Sequence, residues 1–171
     1  MIKHKRLILI FFIFLFTNCS STISRSSTTL SKGKIYAIST FWNYTETPMA
    51  GFRASTIVEG VLSNRGVATI SLIGGEGEIE SVKSKESFIK KKINRAKSLG
   101  ADYIILGSVQ EWRYKTGIDG EPVVSYSIKV IDLKDGSIAF SGVGAKSGWG
   151  HKSIGVVAQE IANSLIPQFI L

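Results

Sequence analysis

The sequence predicts an α/β fold, a mixed β-sheet with helices packed on it in the order β-α-β-α-β-β-β-α. Three observations predict it. The first is residues 107–133, where two extended runs flank a turn at 116–120 and the second run alternates. Val124, Tyr126, Ile128 and Val130 point one way, and Ser125, Ser127 and Lys129 the other. A period of two marks a strand with one buried and one wet face. Asp119-Gly120 suits the tight connection, because glycine takes positive φ without steric cost and aspartate tolerates it. A second turn, Lys134-Asp135-Gly136, leads into a third run at 137–146, which completes an antiparallel meander. The second observation is apolar spacing at helical period in 50–65 and 152–166. The third is that strands and helices alternate ahead of the meander. Strand–helix–strand units favour parallel pairing and hairpins force antiparallel pairing, so the sheet is mixed.

Taken in order, residues 34–41 form the first strand. Ile35, Ala37 and Phe41 alternate, but Tyr36 and Ile38 are apolar too, which predicts burial on both faces. Residues 42–49 read as a polar loop with Pro48. The helix at 50–65 carries Ile57, Val58, Val61 and Leu62 on one stripe and stops at Gly66. A strand at 67–73 leads to the loop Gly74-Gly75-Glu76-Gly77-Glu78. The next helix, 82–99, turns Ile89, Ile93 and Ala96 inward. Its outer face is basic (Lys83, Lys85, Lys90, Lys91, Lys92, Arg95, Lys97), either a solvated surface or a match for an acidic partner. Gly100 ends it, and 101–114 is the strand that enters the meander. The final helix, 152–166, has one stripe of Ile154, Val157, Ala158, Ile161, Ala162 and Leu165.

The N-terminus carries Lys3, Lys5 and Arg6, then ten apolar residues at 7–16. Ten residues rise about 15 Å as helix, short of the roughly 30 Å hydrocarbon core of a bilayer. They fit the apolar core of a secretory signal. Cys19, the only cysteine, follows Thr17-Asn18. A cysteine there resembles the lipobox of bacterial lipoproteins, in which the thiol is diacylated and the chain is cut ahead of it. The other reading is an ordinary signal and an incidental thiol. The expected organisation is a signal peptide at 1–18, a Ser/Thr-rich tether at 19–33 with lipidated Cys19, and a single α/β domain at 34–171. Too few large apolar residues lie in 20–33 to offset ordering entropy, hence a tether. One thiol excludes disulfides. Cutting before Cys19 removes three of the 21 basic residues and none of the 13 acids, so the net charge falls from +8 to +5. A modest positive balance outside the cytoplasm suits anionic lipid or polymer, with no nucleic acid.

Catalytic chemistry is thinly represented. Of two histidines, His4 leaves with the signal and His151 stands alone, so no base–nucleophile pair can be built on it. A shell of several His or Cys ligands for a metal is arithmetically impossible. The Gly-Gly-Glu-Gly-Glu loop lacks the Gly-Lys-Ser/Thr ending of a phosphate cradle, and its acids would repel phosphate. The sequence points to a non-enzymatic protein with no cofactor and no metal.

Three features remain. Trp149, between Gly148 and Gly150, either projects outward or folds back over the core. Projected, it suits a headgroup zone that buries the rings and keeps the indole N–H wet, with Lys146, His151 and Lys152 beside it on an anionic surface. Asp119 and Glu121 mark an acidic hairpin, with Glu76, Glu78 and Glu80 in a second acidic loop; the bland reading of Asp-Gly is turn chemistry. Trp112, Arg113 and Tyr114 lie on one strand, with Trp112 and Tyr114 on one face and Glu111, Arg113 and Lys115 on the other. That pattern is either a subunit interface, where Trp, Tyr and Arg dominate, or a strand half in the core and half in water.

The segments 107–122 (GSVQEWRYKTGIDGEP), 144–150 (GAKSGWG) and 43–51 (NYTETPMAG) resemble the PelC family, outer-membrane lipoproteins of the Pel exopolysaccharide secretion system. The likeness runs from about residue 35 to 165. It implies a homo-oligomeric ring, a dodecamer, on the periplasmic side of the outer membrane, with the Trp of the SGW motif toward the bilayer. It also implies an acidic funnel, for which Asp119 and Glu121 are the candidates, steering a cationic polysaccharide to the porin PelB. The other class is a periplasmic lipoprotein that activates a cell-envelope synthase, as penicillin-binding-protein activators do, or a curli-secretion-like component. A membrane-spanning hairpin is excluded by Lys115, Asp119, Glu121 and Lys129, which stand where a lipid-facing band would be.

Overall fold

The computed structural model describes residues 21–27, 30–74, 82–116, 120–149 and 152–166. Its elements are β1 (Ser21–Ser27), β2 (Ile35–Ser39), β3 (Trp42–Asn43), α1 (Ala50–Asn64), β4 (Ala68–Leu72), α2 (Val82–Ser98), β5 (Tyr103–Tyr114), β6 (Pro122–Asp132), β7 (Ile138–Ser147) and α3 (Ile154–Leu165). Seven strands form one mixed sheet in the order β1-β7-β6-β5-β2-β4. The short β3 pairs with β5 farther along the line of β2. Pairing is parallel for β2 with β4 and β5, and antiparallel through β5, β6, β7 and β1. The strand–helix order predicted from sequence is therefore present, with β1 and β3 added.

The addition of β1 corrects the reading of 20–33 as tether along its whole length. Ser21–Ser27 pairs with Phe140–Lys146 of β7. The composition argument weighed only side-chain burial. Without β1, however, β7 would present a free row of backbone donors and acceptors, and that row is satisfied by main chain whatever the side chains. Farther along, Leu30 is buried and the Tyr36 hydroxyl donates to the Ser31 carbonyl at 2.8 Å, which fastens the link into β2.

One face of the sheet carries the main core beneath α1 and α3. There Tyr36, Ile38, Ile105, Tyr126, Ile128 and Phe140 meet Val58 and Leu62 of α1 and Ile161 and Leu165 of α3. The opposite face holds a smaller core, Ala37, Ile104 and Leu133 against Ala96 of α2. Burial of β2 on both sides follows, as its unbroken apolar run predicts. The helix α2 covers only the parallel half, so Ser125, Ser127 and Lys129 of β6 keep the polar face that their alternation predicts. Ser153 caps α3, its hydroxyl accepting the Val156 N–H at 3.3 Å. Buried Tyr126 donates to the Ala158 carbonyl at 2.8 Å, and burial raises its phenol pKa far above the ordinary value.

A bulge in β5 decides one of the sequence's open questions. Val109 pairs with Tyr126 and Glu111 with Ser125, leaving Gln110 as an extra residue. Ile105 and Val109 face the main core, so unbroken alternation would send Trp112 outward. The extra residue reverses the phase, and Trp112 enters the core at 2% exposure.

Candidate functional site: the upper end of the sheet

The end at which β2, β4 and β5 finish is called here the upper end. There β5 turns into β6, β7 leaves the sheet, β1 enters it, and α1, α2 and α3 begin. The hairpin between β5 and β6 is closed by the Lys115 N–H on the Glu121 carbonyl at 2.8 Å. Its side chains pair as well, Lys115 Nζ lying 2.9 Å from the Glu121 carboxylate. Asp119 falls outside the described residues, as do Glu76, Glu78, Glu80, His151 and Cys19.

Beside the hairpin stands Trp149, 79% exposed. The chain leaves β7 through Gly148, whose N–H donates to the Pro122 carbonyl at 2.7 Å. A Cβ on Gly148 would stand 2.6 Å from Pro122 Cγ and 2.8 Å from Val157 Cγ2, so only glycine allows this approach. On the far side of the turn, the Tyr114 hydroxyl accepts the Ile154 N–H at 3.2 Å. The Trp149 turn is thus fastened to both strands of the hairpin, and two features that are separate in sequence become neighbours.

Lys146 and Lys152, which bracket this turn, both reach Glu160 of α3, at 3.0 and 2.6 Å. Hydrogen bonding from Lys152, then from Lys146, holds the Glu160 carboxyl below its ordinary pKa against the desolvation that would raise it. The two lysines therefore share a carboxylate, and the charge they offer a headgroup layer is smaller than the sequence implies. Of the three interface candidates, Trp112 is buried within the subunit by the bulge. Arg113 and Tyr114 face outward, Arg113 pairing with Glu111 at 3.3 Å.

The sequence reading missed an aromatic corner in the stretch taken as polar loop. Lys85 of α2 hydrogen-bonds the Tyr44 hydroxyl and lies 4.7 Å from the Tyr44 ring centroid and 5.6 Å from that of Trp42. Trp42 meets Phe88 at 6.2 Å. The alternation Trp42-Asn43-Tyr44 was the available signal. The basic face of α2 is accordingly not all solvated: Lys85 is engaged here, and Lys92 donates to the Leu72 and Gly74 carbonyls at 2.7 and 3.0 Å.

At the opposite, lower end, Asp102 accepts the Ile35 N–H at 2.9 Å and Lys34 at 3.0 Å, and both bonds lower its pKa. It lines a cleft of about 380 Å³ with Lys34, Tyr103, Asp132 and Lys134, whose charges are of both signs. Among the described residues, no group of three His, Cys, Asp or Glu is placed to hold a metal, and no helix is long and apolar enough to cross a membrane.

No family model and no curated protein matches the sequence. Solved structures do. A Leu-to-Met variant of the PelC dodecamer from Paraburkholderia phytofirmans and the PelC dodecamer itself both match, in different crystal forms. One has 31% identity and a TM-score of 0.75, the other 32% and 0.73, each over 88% of this chain and 98% of the other. The chain belongs to the PelC family. Lipoprotein GNA1162 of Neisseria meningitidis matches at 16% identity with a TM-score of 0.51, over 79% of this chain and 96% of its own. That likeness shows the shared fold alone.

Proposed function

We propose that this PelC-family chain is an outer-membrane lipoprotein of Pel exopolysaccharide export for the biofilm matrix, with no catalytic role of its own. Lipidated at Cys19, it closes into a ring of twelve copies on the periplasmic side of the outer membrane and guides a cationic polysaccharide toward the porin PelB. The observation that supports this reading is the match, along nearly the whole of a PelC subunit, to a protein crystallised as a dodecamer. Symmetry gives a small inert body its use. Each charge near the axis is repeated around the opening, and low-dielectric walls concentrate the field. Many anchored copies in one ring also add their membrane affinities. Because Glu121 already pairs with Lys115, the surplus negative charge of the hairpin comes from Asp119, which makes Asp119 the leading funnel residue. Arg113 and Tyr114 remain as outward-facing candidates for the contact between copies.

Size-exclusion chromatography with light scattering on residues 20–171 tests the ring. A large closed oligomer is expected. A monomer at high concentration ends this reading and favours a synthase activator.

A further inference from the structure

The aromatic corner beside α2 holds a cation that no acid claims. Lys85 Nζ meets the Tyr44 hydroxyl and the faces of two rings, 4.7 Å from the Tyr44 centroid and 5.6 Å from that of Trp42. Among the described residues it pairs with no carboxylate. Tyr44 is 58% exposed, and half-buried Trp42 packs edge to face with Phe88. The Trp42 and Tyr44 rings lie 6.5 Å apart and tilted by 59°, so they make an angled ledge. The cleft between Trp42, Phe88, Leu106 and Lys85 measures about 20 Å³, room for a single water. A larger ligand must therefore lie across the rings.

The strand register shows what borders this ledge. Trp42 pairs with Ser108 and Ser108 with Ser127, so the three side chains share the sheet face that α2 leaves open beyond the parallel half. The Ser108 and Ser127 hydroxyls are hydrogen-bonded at 2.8 Å, and Gln110 Nε2 donates to Ser108 Oγ at 2.8 Å. The extra residue of the β5 bulge thus brings its carboxamide alongside the hydroxyls. Ring faces beside hydroxyl and amide groups match the chemistry of a pyranose. The C–H groups on one face of such a sugar are weakly positive and suit the negative face of an aromatic ring, while its hydroxyls exchange hydrogen bonds at the edge. Lys85 selects among sugars. Its ammonium can donate to a hydroxyl or an amide carbonyl but repels a second ammonium, so a neutral or N-acetylated unit fits where a free amino sugar does not.

We infer that Trp42 and Tyr44, with Lys85, Gln110 and Ser127 beside them, form a stacking subsite for uncharged pyranose units of a polysaccharide, N-acetylated amino sugars included. The subsite stands apart from the acidic hairpin and goes beyond the function proposed above. The hairpin would attract the positive charges of a chain, whereas this corner would take units that carry none.

Isothermal titration calorimetry on the full chain, purified in a detergent without a sugar headgroup, provides the test. The probes are N-acetylated chitotetraose and its fully deacetylated, cationic counterpart. The acetylated tetramer should bind more tightly, and Lys85→Gln should narrow that preference by admitting the cationic one. Tyr44→Ala, at an exposed position that folding tolerates, should weaken binding of the acetylated tetramer by about tenfold or more. Tyr44→Phe keeps the ring, drops the hydroxyl that holds Lys85, and should retain binding. Equal binding by the native chain and Tyr44→Ala, binding of neither tetramer, or tighter binding of the cationic one would each overturn the inference. The bound tetramer should be displaced by the secreted polymer if that is the source of the sugar, and by soluble cell-wall glycan strands if the wall supplies it. Displacement by neither would also overturn it. The ring is judged separately: a monomer that loses the tetramer on Tyr44→Ala sinks the ring and keeps the subsite, and a dodecamer that binds neither tetramer does the reverse.

Discussion

The same substitution at two glycines of one helix should move stability in opposite directions. Gly51 and Gly60 both lie in α1. Helix propensity alone gives Gly→Ala a gain of about 1 kcal/mol at either position, since alanine loses less backbone entropy on folding. At Gly60 nothing lies within 4 Å of an added Cβ, so that gain should be realised. At Gly51 the added Cβ would stand 1.9 Å from the Phe41 carbonyl oxygen and 2.9 Å from its carbon. Both are main-chain atoms that no rotamer change can move. The helix would have to retreat by roughly 1 Å to reach ordinary contact, dragging Ala54, Val58 and Leu62 from the core they fill. Overpacking of this kind costs about 1–3 kcal/mol or more, which outweighs the propensity gain. At about 2–4 °C per kcal/mol for a chain of this size, Gly60→Ala should raise the melting temperature by about 2–4 °C. Because the clash is with main-chain atoms, the cost at Gly51 is taken at about 3 kcal/mol, the top of that range; less the gain of about 1 kcal/mol it leaves a net loss of about 2 kcal/mol, which should lower the melting temperature by roughly 4–8 °C. Thermal and urea unfolding of residues 20–171, followed by far-ultraviolet circular dichroism at equal protein concentration, measures both. A Gly51→Ala variant as stable as Gly60→Ala would refute the close seating of α1 on the chain between β2 and β3.

Two further outcomes follow from the upper end. Glu160 has its pKa lowered in the folded state, so its contribution is present above the ordinary carboxylate range and lost as pH falls through the lowered value. Glu160→Gln should flatten that acid-side dependence and cost on the order of 1 kcal/mol for two partly exposed pairs near neutral pH; an unchanged stability–pH profile would show that the Lys146–Glu160–Lys152 cluster does no holding. Asp119→Asn combined with Glu121→Gln should leave folding intact and reduce export of a cationic polymer from cells, and undiminished export would place any acidic funnel elsewhere.

What the sequence determined by itself was local. Period-two alternation from Val124 to Val130 and the apolar stripe from Val157 to Leu165 each record which side chains will be buried, and burial of a repeating face is written residue by residue. The exposure of Trp149 was half legible, through its flanking glycines. Tertiary structure alone decided the rest. The extra residue Gln110 turns Trp112 from a surface candidate into a core residue, because inserting one residue reverses every later side chain on a strand. Ser21–Ser27 became an edge strand because backbone hydrogen bonding to β7 leaves no mark in side-chain composition. Glu160, Lys146 and Lys152 come together only once α3 has packed across the sheet, and the hairpin meets the Trp149 turn because β6 pairs with β7. Periodicity reports the neighbours a residue has along its own element; which charges and loops meet across the fold depends on how the distant segments close, and no local pattern encodes that.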